Sequence, residues 1–399
     1  MPSPIPRWAF IDAARAVAIA LAMLSHAFLV FEVWPALPQA PLHTLRLLTR
    51  TATPVFILVF GMMLELVYLR MLRQRGRAAA AQKLLTRALL CYAVFLADAA
   101  LAGLVGWRSP LQAAAATLFL EGTRLGSILQ FYALALGLAV PLLLLRERLG
   151  LVALLLPVVL VWSLHPLLAD LPALPYPLHY FGAFLAGAGD RFGPNILHGA
   201  TFIAAGMALA RALTLSREQQ PIAALLLLTV VLLPALAVLL DGLDRLGGAG
   251  FVVGIVDIRQ LRWRNDPAYF GFGIMAAMLL LGLCALLLGR RSLNADGLMA
   301  TLGRRTLFAF GAGNGALALL PALPEGWGLA PRLAAAGLFL PVLAGAVIRH
   351  DRTAGKGGAG AYAPALGLLR GVETLCAVLA RRLVGLGRRL LPRRPAEAQ

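Results

Sequence analysis

A succession of long apolar runs constrains this chain more than any other feature. A helix that crosses a membrane needs about 20 mostly apolar residues, because it has to span the hydrocarbon layer. The sequence is therefore predicted to form an all-α polytopic integral membrane helical bundle with about ten transmembrane helices. The predicted segments are 10–31, 52–70, 88–106, 125–145, 150–168, 195–213, 221–240, 268–288, 305–322 and 331–348.

The composition agrees with this class and argues against another. Of the 399 residues, 60% are hydrophobic and only 14% are charged, whereas soluble domains are about 25% charged. The formal net charge of +18 could suggest a nucleic-acid-binding protein. However, the Lys and Arg residues lie between apolar runs and form no basic face interleaved with aromatic residues, which argues against nucleic-acid binding.

The distribution of these basic residues predicts the orientation. When the N-terminus is placed in the cytoplasm, most of the 36 Lys and Arg residues fall on the cytoplasmic side. Under the positive-inside rule this predicts an N-in, C-in topology with an even number of spans. A cleaved signal peptide is the alternative for the first run, but that run is long, contains charges and lacks a clear cleavage site.

The chain is predicted to divide into a transmembrane domain, 1–350, and a cytoplasmic tail, 351–399. The tail opens with the Gly/Ala-rich linker RTAGKGGAGAYAPA (352–365) and continues as a basic amphipathic helix. Such a helix lies flat on an anionic leaflet, although a solvated tail without a particular role is the alternative. The residues of its apolar stripe are Val372, Leu375, Leu379, Leu383, Leu386 and Leu390.

The cysteines and histidines predict no metal site. Cys91, Cys284 and Cys376 are isolated in the sequence and are interpreted as small hydrophobic core residues. The six histidines are scattered, and neither HxxH nor HExxH occurs.

The first apolar run carries three polar residues that need a reason. Arg15 and His26 are eleven residues apart, which is about three helical turns and 16 Å, so both point to one face. Asp12 lies one turn before Arg15 and can pair with it. A neutral imidazole can accept a proton from a hydroxyl nucleophile, and an arginine can hold a phosphate or polarise a carbonyl. The structural alternative is an interfacial ion pair plus a histidine bonded to a neighbouring helix.

The same stretch, RWAFIDAARAVAIALAMLSHAF (7–28), resembles the opening helix of the membrane acyltransferases of the acyltransferase-3 superfamily. The shared signature is an arginine, ten residues and a histidine, here Arg15 and His26. TRTATPVFILVFGMMLEL (49–66) is similar to the second helix of that family. SILQFYALAL (127–136) and LGRRTLFAFGAGN (302–314) are weaker matches.

The resemblance implies transfer of an acyl group, commonly acetyl or succinyl, to a hydroxyl of an envelope glycan in the bacterial inner membrane. The donor would be a cytoplasmic acyl-CoA, with no bound cofactor, and Arg15 and His26 would be required for activity. The periplasmic-glucan succinyltransferase branch and a lysosomal-type sugar N-acetyltransferase are related alternatives. Two departures bear on the branch: FILVFG (56–61) lacks the usual serine, and Asn314 stands where a histidine is common.

Two acidic residues within the spans are candidates for supporting roles. Glu65 lies near the cytoplasmic end of the second span, where it either reaches the interface or lines a cavity. Asp98 lies in the middle of its span, where a charge needs a partner.

Other polar residues are candidates for binding the acceptor. Glu121 and Arg124 precede the fourth span, where they form either a cavity mouth or a loop ion pair. DIRQLRWRND (257–266) could bind an anionic or sugar acceptor, or attach to lipid headgroups; its candidate residues are Arg259, Arg262, Trp263 and Arg264. His43, Arg46 and Arg50 precede the second span and could face the same site.

Two functions of another kind compete with the acyltransferase. A transporter or flippase could use Asp98, Arg15 and His26 as a solute or proton pathway, but the sequence shows no inverted halves. A non-catalytic scaffold is the third, because the serine and the late histidine of the family pattern are missing.

Overall fold

The computed structural model describes residues 8–189, 192–288, 297–321, 323–324, 326–354 and 363–390, and every regular element in these ranges is a helix. The predicted all-α class is therefore confirmed. A π-helical turn, Leu64–Leu69, interrupts the second long helix. The α-helices are α1 (Ala9–Val30), α2 (Val33–Ala36), α3 (Gln39–Arg50), α4 (Ala52–Met63), α5 (Arg70–Arg75), α6 (Arg77–Leu104), α7 (Pro110–Thr117), α8 (Ser127–Leu149), α9 (Val152–Ser163), α10 (His165–Ala169), α11 (His179–Ala186), α12 (Ile196–Arg217), α13 (Pro221–Val256), α14 (Pro267–Leu288), α15 (Leu298–Arg304), α16 (Thr306–Ala318), α17 (Leu329–Ala354) and α18 (Ala363–Leu390).

Eight of the predicted segments correspond to helices that are long and apolar enough to cross a membrane. They are α1, the continuous stretch Gln39–Arg75 that comprises α3 to α5, α6, α8, α12, α13, α14 and Leu329–Thr353 of α17. The other two predicted segments do not form one long helix each: 150–168 is interrupted, and 305–322 contains only the 13 residues of α16. Pro166 is the second residue of α10 and cannot donate a backbone hydrogen bond to the preceding turn, so α9 ends at Ser163. Arg305 leaves the helical region between α15 and α16.

Side-chain contacts fix the direction of α16 relative to α1. Arg15, near the start of α1, donates to Thr306 Oγ1 at the start of α16 over 2.8 Å. His26, near the end of α1, contacts Asn314 in the second half of α16 at 2.8 Å. The two helices therefore run in the same direction, and α15 and α16 together carry the chain back across the bundle after α14. The exact number of spans and the N-in, C-in orientation stay predictions.

The second and the fifth of these eight long helices pack with their backbones in direct contact. A Cβ atom at Gly61 of α4 would collide with the carbonyl oxygen of Ile203, and one at Gly206 of α12 with the carbonyl oxygen of Leu58. Small residues allow helix backbones to approach this closely in membranes. This packing fixes the position of α4, whose first turns reach the cavity described below.

The tail departs in detail from its prediction. Residues 352–354 of the predicted linker continue α17, residues 355–362 lie outside the described range, and α18 begins at Ala363. α18 packs against α6 with Cys376 and Ala380 buried. Part of the predicted apolar stripe points away from the bundle: Leu375, Leu379, Leu383 and Leu386 are exposed. The side chain of Leu390 and residues 391–399 are not described.

Candidate active site

His26 lines a cavity of about 810 Å³ at the end of the bundle where α1 ends. The walls come from the end of α1, the junction of α3 and α4, the segment before α8, the start of α11, residues 256–263 and Phe310 of α16. We call this end of the molecule the cavity end. At this end, His26 of the first helix lies among loops and helix ends that are far apart in the sequence.

Asn314 holds the imidazole of His26. His26 Nδ1 lies 2.8 Å from Asn314 Oδ1, while Asn314 Nδ2 donates to the carbonyl oxygen of Leu125 over 3.4 Å. Because the amide nitrogen donates to Leu125, the oxygen faces His26 and accepts a hydrogen bond from the Nδ1–H group. The Nε2 lone pair is then available to accept a proton. Phe310 packs edge-on against the same ring at 5.4 Å.

Arg15 does not belong to the cavity lining, although it shares the α1 face that contacts α16. It donates to Thr306 Oγ1, and its guanidinium lies 4.0 Å from the carboxylate of Asp12. The predicted common face is thus confirmed by the two partners on α16, and the predicted Asp12 partner is observed. Gly303 packs directly on the backbone of Asp12, so the late LGRRTL stretch contacts the start of the first helix.

Glu65 takes neither of its two predicted positions. Its carboxylate forms a two-point ion pair with Arg146 of α8 at 2.6 and 3.0 Å, and the side chains are only 6% and 9% exposed. It therefore neither reaches an aqueous interface nor lines the cavity. Sequence reasoning missed Arg146, because an arginine that follows an apolar run is typical of the end of a span.

Asp98 lies outside the cavity and contacts Thr123, which lines it. Its carboxylate accepts a hydrogen bond from Thr123, and Thr123 Oγ1 in turn accepts from the backbone nitrogen of Gly126 over 2.8 Å. Thr123 lines the cavity, whereas Asp98 does not. The partner that a mid-span carboxylate was expected to need is thus a hydroxyl.

The predicted acceptor-binding residues divide into two groups. Glu121, Arg124, Arg262 and Trp263 all line the cavity. Glu121 and Arg124 do not form the alternative loop ion pair, because Glu121 accepts from the backbone of Gly122 and Arg124 stacks on the indole of Trp107 at 4.7 Å. Two members of the predicted set lie outside the lining and are exposed: Arg259 and Arg264.

The residues before α4 divide in the same way. Arg46 and Arg50 line the cavity, whereas His43 does not. Arg108 also lines it, and sequence reasoning missed this residue because a single arginine in a short connection carries no recognisable pattern. Within the residues that the structure describes, no group of three His, Cys, Asp or Glu side chains could hold a metal ion.

Tyr180 of α11 closes one side of the cavity as a hydrogen-bond donor. Its hydroxyl donates to Gln130 Oε1 over 2.8 Å, and Gln130 is fully buried at the start of α8. Burial raises the pKa of Tyr180 above its usual range, so the phenol stays protonated at neutral pH. Tyr180 is therefore a neutral residue of the cavity lining and does not act as a base.

A comparison with known protein families decides the class of this site. The family model described as "Acyltransferase domain", acyltransferase-3, matches residues 8–348. This range covers α1 to α17 almost completely and includes both Arg15 and His26.

The chain belongs to the acyltransferase-3 family. This acyltransferase is therefore a multi-pass membrane enzyme that transfers acyl groups other than aminoacyl groups. No curated protein matches the chain. The family assignment favours the enzyme over the transporter and the scaffold; the succinyltransferase-like branch stays a prediction.

Proposed function

We propose that the protein transfers an acetyl- or succinyl-type acyl group from a cytoplasmic acyl-CoA to a hydroxyl of an envelope glycan in the bacterial inner membrane. One observation carries the proposal: His26 lines a cavity with its Nδ1 fixed by Asn314 and its Nε2 available. A positioned neutral imidazole is the group that this chemistry requires to activate a hydroxyl.

The acyl transfer needs one proton acceptor and one reactive carbonyl. His26 Nε2 accepts the proton of the acceptor hydroxyl while the hydroxyl oxygen attacks the thioester carbonyl. The new C–O ester bond forms, the C–S bond breaks, and the coenzyme A thiolate leaves with the electron pair. The imidazolium then returns its proton to the thiolate, so the histidine ends the cycle neutral.

Arg15 is proposed to act at the donor end of the same path. It lies about 16 Å along α1 from His26, outside the acceptor cavity, and is held in place by Thr306 and Asp12. A permanent positive charge at this position suits the phosphates of coenzyme A. The thioester of a donor held there would extend along α1 towards His26.

Replacing the histidine tests the proposal. The variant His26→Ala is expected to release coenzyme A from acetyl-CoA at least about 100-fold more slowly, because general-base catalysis contributes this much. The variant His43→Ala is the matched control, since His43 lies outside the cavity lining. A His26→Ala protein that folds normally and still modifies its acceptor at the wild-type rate would contradict the proposal.

The donor is tested separately by thermal stability in detergent. Coenzyme A is expected to raise the midpoint of thermal unfolding of the wild type and of His26→Ala, but not of Arg15→Gln. No stabilisation of any of the three proteins would exclude coenzyme A as the donor. A lost ester in the glycans of a deletion strain would identify the acceptor class.

The tail is proposed to contact an anionic leaflet. The exposed face of α18 carries leucines together with Arg381 and Arg382, the composition of a helix that rests in a headgroup layer. The buried face holds it against α6. Reversing both arginine charges should weaken binding of an isolated α18 peptide to vesicles that contain phosphatidylglycerol, and unchanged binding would reject this contact.

A further inference from the structure

Five arginines line the cavity beside His26, from four separate parts of the chain. In the part of the chain that the structure describes, two carboxylates, Glu121 and Asp257, line it with them. Among the described residues, none of the five arginines makes an ion pair with a carboxylate within 4.0 Å. The five are Arg46, Arg50, Arg108, Arg124 and Arg262.

Neutral groups hold most of these guanidinium groups in place. Arg46 lies over the indole of Trp34 at 5.3 Å, and Arg124 lies over that of Trp107 at 4.7 Å. Arg262 Nε donates to the carbonyl oxygen of Gly193 over 2.6 Å. These contacts orient the side chains but bring no negative charge to them, so the five arginines share the two carboxylates of the lining, Glu121 and Asp257.

Arg50 provides the clearest sign that a ligand completes this cluster. One of its terminal nitrogens donates to the carbonyl oxygen of Val256 over 3.3 Å, but its Nε is buried without a partner. A buried donor on a charged group that lacks an acceptor is costly. Arg50, Arg262 and His26 line the same cavity, so an anion bound by these two arginines would share the cavity with the base.

An anionic ligand would pair with the arginine charges and supply an acceptor for Arg50 Nε. Guanidinium groups bind carboxylates and phosphates through paired hydrogen bonds, and such pairs gain strength in a cavity that is partly shielded from water. Trp263 lines the same cavity and offers an apolar face to a sugar ring. A neutral sugar alone would leave the arginine charges unpaired.

We propose that the acceptor is an anion: a hydroxyl compound, such as a sugar, that carries a phosphate or carboxylate group bound by the cavity arginines. The inference rests on the proposed function only in that the bound hydroxyl is the one acylated. The cluster is assigned to the acceptor because Arg15, the proposed donor residue, lies outside the cavity, about three turns along α1.

Binding to purified protein in a neutral detergent tests the proposal without requiring turnover. Glucose 1-phosphate and glucuronate are expected to bind His26→Ala at least about tenfold more tightly than glucose does, since one charge-assisted hydrogen bond accounts for this difference. Binding can be followed by tryptophan fluorescence, because Trp34 and Trp263 line the cavity. Equal affinity for glucose and for the two anions would overturn the proposal.

Arginine variants locate the binding site. Arg50→Gln combined with Arg262→Gln should abolish the preference for the anions, while Arg50→Lys should retain part of it. Arg259→Gln is the control, because Arg259 is exposed and outside the lining. An anion preference that survives the double variant, or that coenzyme A removes by competition, would show that the cavity is not an anionic acceptor site.

Two sources could supply the anion, and a competition experiment separates them. Nanodiscs containing phosphatidylglycerol should displace glucose 1-phosphate if the acceptor is a lipid headgroup, whereas phosphatidylcholine nanodiscs should not. Absence of displacement would point to a water-soluble glycan. Either result supports an anionic acceptor. If these binding results hold while His26→Ala retains full transferase activity, the cavity assignment stands and the proposed mechanism fails.

Discussion

At the scale of single residues, Asn314 decides which nitrogen of His26 faces the cavity. Replacing it by leucine keeps the volume but removes the oxygen that accepts from Nδ1. We expect kcat to fall by about 100-fold, because a misoriented base loses its attack geometry, while KM for the acceptor changes little. Steady-state transfer from acetyl-CoA measures both constants.

A conservative variant separates positioning by Asn314 from a packing effect. Asn314→Asp keeps an acceptor oxygen for Nδ1 and should recover much of the lost kcat, even though the contact with Leu125 is lost. If the leucine and aspartate variants were equally impaired, with the same KM as the wild type, orientation of His26 would not be the role of Asn314.

The ion pair between Glu65 and Arg146 gives a prediction about stability. Glu65→Gln leaves Arg146 buried without its counter-charge, which should reduce the free energy of unfolding by about 3 to 5 kcal/mol. Replacing both residues by methionine should recover most of that loss, since no buried charge is left unpaired. Unfolding in mixed detergent measures both changes. Equal destabilisation of the single and double variants would argue against this ion-pair account.

The sequence predicts some of these residues and not others for a simple physical reason. Arg15 and His26 belong to one helix, so their spacing alone defines their common face. Asn314 and Arg146 meet their partners across 288 and 81 residues, and no local pattern announces such a contact. Even the departure at Asn314 pointed only to a missing histidine, whereas the structure shows an amide that orients the histidine present.

At the scale of helices, the contact between α4 and α12 depends on two glycines. Gly206→Ala would place a methyl group on the carbonyl oxygen of Leu58, so the helices would have to separate. We expect a loss of about 1 to 3 kcal/mol in the free energy of unfolding, measured in the same way as for the ion pair. Gly137→Ala is the matched control in α8, because a Cβ atom there meets open space. Equal effects of the two variants would contradict the packing argument.

Hydropathy predicts the continuous helices well. A run of about 20 apolar residues in a membrane must satisfy its backbone hydrogen bonds internally, and a helix does so within one segment. Hydropathy does not reveal where a span is interrupted. The break between α9 and α10 lies just before a helix that carries Pro166 at its start. The break at Arg305 falls where Arg304 and Arg305 both bind Asp351 of α17, at 2.9 and 2.6 Å, a contact that lies outside any local window of sequence.

At the scale of the whole molecule, the cavity and Arg15 lie towards different ends of the bundle. The stretch Gln39–Arg75 begins near the cavity end, where Arg46 and Arg50 lie, and Gln74 is exposed at its far end. The segment 256–263 forms part of the cavity wall, and Gln260 is exposed beside it. These two neutral residues therefore mark opposite ends of the bundle.

The distribution of Lys and Arg predicts that the cavity end faces away from the cytoplasm. A membrane-impermeant maleimide applied to intact cells should label Gln260→Cys but not Gln74→Cys, and permeabilised cells should show labelling of both. Background should be low, because Cys91, Cys284 and Cys376 are all buried. Labelling of Gln74→Cys alone in intact cells would reverse the orientation. It would also place the acceptor cavity on the side of the coenzyme A pool, where a donor and an acceptor need not approach from opposite faces.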